Sequence, residues 1–251
     1  MRYKHGAGRE NGKNTLGGIN MKEQIREIVL SYGADICGFA NIDRFNHVPY
    51  GYKPSDIYAD CKSVVAFAVV LPQGLTKVSS RLIYGHFNNI SCTEVDMIAF
   101  KAAKKIEEKY QCNVVPLPCD NPYEYWDSEK MEGMGLLSMK HIAVQAGLGV
   151  LGKSSLLINE YYGNMITLGA ILTNLELPSD MLSNNICNPN CRKCIEACPV
   201  HAIENDTVNQ KLCRINTYGK TERGFDTVDC NKCRIVCPIN YRHKRNAKQM
   251  R

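Results

Sequence analysis

Apolar positions along the chain change their period several times, and each change marks an element. Residues 22–32 place Ile25, Ile28 and Val29 at helical spacing, and Gly33 supplies a stop. Asp35 to Ala40 then reads as a short strand. Val64 to Val70 is an unbroken apolar run between Lys62-Ser63 and Pro72, which predicts a strand buried on both faces. Thr93 to Tyr110 is the strongest helix: Ile98, Ala102 and Ile106 recur at i+4, with Ser91 or Thr93 as cap. Asn113 to Leu117, Ser155 to Ile158 and Met165 to Leu175 read as strands, and Leu137 to Ala146 as a short helix ended by Gly147. Between them, residues 118–135 form a loop with Pro118, Pro122, Gly133, Gly135 and several acids. Loops of that length inside a compact domain are often functional. Strands alternate with helices, so residues 21–178 are expected to fold as an α/β (α+β) domain.

Near Pro178 the periodicity stops. Residues 179–240 are rich in Cys, Asn and Pro and too poor in apolar residues to build a core, so an outside staple is needed, and metal is the obvious one. The two ends read differently again. Residues 1–20, polar with five glycines, predict a disordered tail, and Met21 is a candidate translation start. Residues 241–251 form a basic tail.

Composition sharpens this picture. The 251 residues carry a net charge of +6, of which the first 20 contribute +3 and the last 11 contribute +5, leaving the body at −2. A basic tail can bind nucleic acid or an acidic protein; the plainer reading is a solvated end. No run approaches the roughly 18–20 apolar residues of a spanning helix, and the N-terminus lacks a secretory apolar region, so a cytoplasmic protein without a membrane partner is expected. There are 13 cysteines, an odd number, which in a reducing compartment points to metal rather than disulfides.

Eight of them form a pattern. Cys187, Cys191, Cys194 and Cys198 precede Pro199, and Cys230, Cys233 and Cys237 precede Pro238, with Cys213 upstream of the second group. The C-x2-C-x3-C-P run is the bacterial ferredoxin signature for 4Fe–4S clusters, in which the cysteine before proline ligates the opposite cluster. Crossed ligation assigns Cys187, Cys191, Cys194 and Cys237 to one cluster and Cys198, Cys213, Cys230 and Cys233 to the other. Asn188-Pro189-Asn190 must absorb one residue beyond the usual gap. Zinc held by thiolates, or structural thiols, are the alternatives; zinc ribbons favour two C-x2-C pairs per site. Cys37, Cys61, Cys92, Cys112 and Cys119 are scattered. Cys37, Cys61 and Cys112 lie in or beside predicted strands and read as small buried residues; Cys119 is a lone loop thiol.

Gly147 to Ser154 matches G-x4-G-K-[ST] letter for letter. A phosphate loop needs a strand before it and a helix after it, and here the order is reversed. The glycines still require a tight turn or the close approach of a ligand.

With these residues in view, the stretch Ala146 to Ile158, then Leu168-Gly169 to Thr173, followed by the double cysteine motif, resembles the epoxyqueuosine reductase family and its shorter relatives. The resemblance implies a cobalamin-binding α/β domain joined to a ferredoxin-like two-cluster domain, with electrons passing through the clusters to cobalt. It implies that Gly147, Gly149, Gly152, Lys153, Ser154, Leu157 and Leu168 hold the corrin. It also implies a low-potential donor of ferredoxin or flavodoxin type. Three departures stand out. Gly133 occupies the position of the family's proton-donating aspartate, with Glu132 beside it as a substitute. Met139-Lys140 replaces Glu-Arg. The family's C-terminal helical-repeat region has no counterpart after Asn240.

Three functions compete. The first is an iron–sulfur reductase acting on a small molecule. The second is an electron-transfer protein serving a separate corrinoid or reductase partner. The third is an RNA-binding module, which lacks a recognised RNA fold signature. His86 and His141 could serve as axial ligands, though satisfied or exposed histidines are the commoner case. His201 could donate to a cluster sulfur. Trp126, with Tyr123 and Tyr125, could cover a flat cofactor or form a surface patch.

Overall fold

The computed structural model describes residues 11–119, 124–204, 206–218, 224 and 230–240, with residues 11–19 described by backbone alone. In chain order the elements are α1 (Asn11–Ser31), β1 (Ile36–Asn41), α2 (Pro54–Ile57), β2 (Ser63–Val70), α3 (Arg81–Tyr110), β3 (Val114–Leu117), β4 (Tyr125–Asp127) and β5 (Glu132–Met134). They continue with α4 (Met139–Gln145), β6 (Val150–Leu151), β7 (Leu157–Ile158), β8 (Ile166–Thr173), α5 (Lys193–Glu196), β9 (Ile203–Glu204), β10 (Thr207–Val208), α6 (Gln210–Thr217) and α7 (Lys232–Ile235).

A four-stranded sheet in the order β1-β2-β8-β3 organises the molecule, and every pairing is antiparallel. The fold is mixed α and β, of the α+β kind rather than a parallel βαβ array. The central strand β2 registers Val64 against Leu172 and Phe67 against Gly169 of β8. Its residues 63–69 are buried, as the apolar run predicted. Alternate residues feed two cores. Phe39, Val65, Phe67 and Ile171 face α1 and α3, whereas Ala40, Val64, Ala66 and Leu172 face α4. Gly169 is required on the first face, because a Cβ there would lie 2.6 Å from the Phe67 ring and 2.5 Å from Val95.

Two helix starts differ from expectation. The helix expected from Met21 begins at Asn11. Once nucleated, a helix extends at one hydrogen bond per residue fixed, even through Gly17-Gly18; residues 1–10 lie outside the described residues. The long helix begins at Arg81, not Thr93. Ser91 and Thr93 do not cap it. Their hydroxyls donate back to the Asn88 and Asn89 carbonyls at 2.7 and 3.2 Å, so these residues sit inside the helix. The loop at 118–135 contains the short hairpin β4–β5, with 120–123 outside the described residues. The basic tail, 241–251, also lies outside them.

The cysteine-rich segment is fastened to the sheet. Ser179 and Asp180 run beside the free edge of β1: the Asn41 N–H donates to Ser179 Oγ at 2.8 Å, and the Asp180 N–H donates to the Phe39 carbonyl at 2.9 Å. That contact covers an otherwise open strand edge. No described helix is long and apolar enough to cross a membrane.

Candidate metal centre

The two cysteine motifs interleave. α5 carries Cys194 and α7 carries Cys233, and these single helical turns pack against each other. Before α5, the Cys191 N–H donates to the Asn188 carbonyl at 3.1 Å and the Asn190 N–H to Asn188 Oδ1 at 2.8 Å. This turn takes up the extra residue between Cys187 and Cys191.

Electrostatic reach sorts the eight thiols into two sets. Cys237, from the second motif, feels the charges of Cys187, Cys194 and Cys191. All four line one cavity of about 40 Å³, together with Lys153 and Ser154. Cys213 feels Cys230 and Cys198, and Cys233 feels Cys230 and Cys213. Each set therefore draws on both motifs, in the grouping that the crossed pattern describes. Cys233 also feels Cys194, so the two sets are neighbours. Among the described residues no three His, Cys, Asp or Glu side chains converge on a single-ion site.

Burial is the largest influence on four of these thiols. It pushes Cys233 up to about 11 and raises Cys194, Cys213 and Cys237. Neighbouring thiolates add to the rise in each case. Backbone donors act in the other direction: Ile239 N–H favours the Cys237 thiolate, and Ala202 N–H donates to Cys198 Sγ at 3.3 Å. The donor aimed at a Cys198 sulfur is thus the backbone after His201, whose φ of +49° turns the chain there.

The scattered thiols behave differently. Cys37 and Cys61 are buried, and burial pushes them to about 12 and about 11, so both stay protonated and inert at neutral pH. Cys112 is raised by burial as well. Cys92 and Cys119 are partly exposed.

The glycine loop takes its shape from the chain's own packing. Gly147, at φ +75°, ends α4, and a Cβ there would stand 2.2 Å from the Met181 carbonyl oxygen. A Cβ on Gly149 would stand 2.4 Å from the Ile158 carbonyl oxygen, and one on Gly152 2.5 Å from Ile158 Cδ1. The close approach that the glycines demand is to the chain itself: backbone at Gly147 and Gly149, and the Ile158 side chain at Gly152. Helix α4 precedes the motif and β7 follows it, so no helix N-terminus faces Gly152-Lys153-Ser154 and the phosphate-loop geometry is absent. Lys153 instead donates through Nζ to the Pro189 carbonyl, which ties the loop to the first cysteine turn. Ser154 and Leu157 are buried, and Leu168 is half-buried. Gly149→Ala is expected to destabilise the cofactor-free protein by about 2 kcal/mol or more, because backbone must move to admit the methyl. Thermal unfolding without cofactor checks this; an unchanged midpoint would assign Gly149 to ligand approach alone.

Glu132 is exposed at the start of β5, and the Gly133 N–H is taken by Gln210 Oε1 of α6 at 3.1 Å. Arg214, also on α6, stacks 4.9 Å from the Trp126 ring, and Lys211 donates to the Glu129 carbonyl at 2.9 Å. The hairpin β4–β5 is thus held by the helix that carries Cys213. His86 packs edge-on to Phe87, and His141 pairs with Ser138 Oγ at 2.7 Å while burial and Lys140 lower its pKa. Burial also lowers the pKa of Lys140. Sequence reading missed Asp180 and Gln210, whose roles depend on contacts between distant segments.

With this geometry in hand, the chain was compared with known proteins. No family model matches it. It is 30% identical over 126 residues to the epoxyqueuosine reductase of Listeria monocytogenes, covering 46% of this chain and 33% of that one. The Bacillus subtilis epoxyqueuosine reductase is 23% identical over 263 residues, covering 88% and 64%. The chain is a distant relative of the epoxyqueuosine reductases. It spans between a third and two thirds of the length of these relatives. The solved epoxyqueuosine reductase of Streptococcus thermophilus superposes with a TM-score of 0.63 at 21% identity, over 88% of this chain and 66% of that one. A reductive dehalogenase structure, described for B12-dependent dehalogenation, superposes with a TM-score of 0.65 at 16% identity, over 96% and 35%. The fold is therefore shared by epoxyqueuosine reductases and reductive dehalogenases, and both are oxidoreductases.

Proposed function

We propose that this chain is an iron–sulfur oxidoreductase. Two 4Fe–4S clusters, in a ferredoxin-like segment at 179–240, pass single electrons toward a cofactor or substrate in the domain at 21–178. The observation that carries this reading is the gathering of eight thiols, from two separate motifs, into two neighbouring sets of four. The donor set fits the group. Burial and neighbouring thiolates raise Cys194, Cys213, Cys233 and Cys237, and a cationic iron core with N–H donors at its sulfurs would offset both effects. Neighbouring sets give a short path for one electron at a time.

A corrinoid acceptor is part of the proposal, supported by the fold shared with the B12-dependent dehalogenase. A corrinoid would supply a metal that carries electrons to the substrate. The glycines of 147–152 do not support it, since their open faces are filled by Met181 and Ile158, and no step is derived through it. A second reading, an electron-transfer protein for a separate corrinoid or reductase partner, draws on Gly133. The family's acid is missing there, and the amide is committed to Gln210.

The electron donor is proposed to be an acidic low-potential protein of ferredoxin or flavodoxin type. Exposed Arg192 and Lys193 separate Cys191 from Cys194, and exposed Lys232 separates Cys230 from Cys233, which gives the cluster segment a basic rim.

Anaerobic purification with metal analysis, before and after added cobalamin, tests the whole reading. The expected result is about eight irons and one retained cobalt per chain, with donor-driven reduction that slows as salt rises through ~0.5 M. Iron without cobalt would select the electron-transfer reading. Zinc in place of iron would remove both.

A further inference from the structure

The cavity lined by Cys187, Cys191, Cys194 and Cys237 has two cations in its wall, Lys153 and Lys193, and among the described residues no carboxylate. The two cations differ in setting. Lys193 is exposed on α5, where water and salt screen its charge. Lys153 is half-buried and comes from the domain at 21–178, between buried Gly152 and buried Ser154. Its ammonium is held in place, because Nζ donates to the Pro189 carbonyl. Pro189 lies two residues from Cys187 and two from Cys191, so at most about 7 Å of chain separates it from either. No carboxylate among the described residues forms an ion pair with Lys153, so its charge is not neutralised on the spot.

We propose that Lys153 holds a fixed positive charge against the cluster of Cys187, Cys191, Cys194 and Cys237 and raises that cluster's reduction potential above the value the thiolates alone would set. The proposal rests on the cluster reading above. The cluster takes one electron from the low-potential donor and gains one negative charge, and a cation at its edge favours that state. A higher potential biases the first electron toward this set, whose wall includes Lys153, Ser154 and Ile158 of the domain at 21–178.

The test is Lys153→Gln, which removes the charge and keeps an N–H donor for the Pro189 carbonyl. Iron and sulfide analysis comes first, with about eight irons expected in wild type and variant alike. Potentiometric titration followed by EPR is then expected to show one cluster moved to lower potential. It should be the cluster whose signal disappears in Cys237→Ala. Its reduced-to-oxidised ratio at a fixed poise should fall roughly tenfold, equivalent to about 59 mV for a one-electron couple. Lys153→Arg keeps the charge, and its ratio should stay within about twofold of wild type. Equal shifts in the Gln and Arg variants would assign the effect to lost geometry and overturn the proposal. So would unshifted potentials, a shift confined to the cluster lost in Cys198→Ala, or loss of iron from Lys153→Gln, each of which leaves the wild-type clusters standing. Absence of iron from wild type would overturn the cluster reading and this proposal with it.

Discussion

Replacing Cys237 by alanine is expected to remove the iron held by three cysteines of the other motif. Cys237 lies in the second run, yet its thiol shares a cavity with Cys187, Cys191 and Cys194. Iron should fall from about eight to about four per chain. The EPR species that survives should be the one lost in Cys198→Ala. Conversely, Cys198→Ala should empty the set of Cys213, Cys230 and Cys233, the residues in electrostatic reach of one another. On the proposed relay of electrons in series through the two sets, either substitution should abolish reduction of any acceptor downstream, a loss of at least a hundredfold. If Cys237→Ala and Cys233→Ala instead erased the same EPR species, the ligation would be uncrossed and the partition wrong.

The proposed sets could be read from the sequence because a C-x2-C pair turns both thiols to one point, while the cysteine before proline crosses to the opposite site. The buried strand at Val64–Val70 was legible for a similar reason, since an uninterrupted apolar run leaves neither face to water. Other features were invisible. The start of α3 was hidden because Ser91 and Thr93 look like caps but bond backward within the helix. The glycine loop was only partly readable, because a glycine requirement shows that something comes close without saying what. Met181 and Ile158 are the residues that do so, at Gly147 and Gly149. The strand order β1-β2-β8-β3 was beyond reach, since β8 inserts between β2 and β3 from far along the chain. The burial of Asn164 with neither amide atom hydrogen-bonded has no local signature at all, since it is a property of the packed state.

The largest stability loss outside the core is expected from Asp180→Ala. Its carboxylate is met by Lys22 Nζ at 2.6 Å and by the Arg26 guanidinium at 2.9 Å, and it accepts the Phe39 N–H at 3.1 Å. Both cations also lie over the Phe39 ring, at 5.6 and 4.9 Å from its centroid. Arg44 donates to the Asp180 carbonyl and so fixes the same residue through its main chain. One carboxylate thus joins α1, the edge strand β1 and the segment that leads into the cysteines. The three side chains are between 12% and 24% exposed, so water screens them only in part. Alanine would leave two cations facing each other over an aromatic ring and one edge N–H unpaired. The expected cost is about 2–4 kcal/mol, a fall of roughly 5–15 °C in the unfolding midpoint for a chain of this size. The Asp180→Asn variant keeps an acceptor for the Phe39 N–H but loses the charge, and its midpoint should fall about half as far. A double-mutant cycle with Lys22→Met isolates the ionic part, with a coupling above about 1 kcal/mol expected. If Asp180→Ala and Asp180→Asn both unfold at the wild-type midpoint, the carboxylate contact is incidental, and the cysteine segment is held by its other contacts, such as Asn41 with Ser179, Lys153 with Pro189 and Arg234 with Asn164.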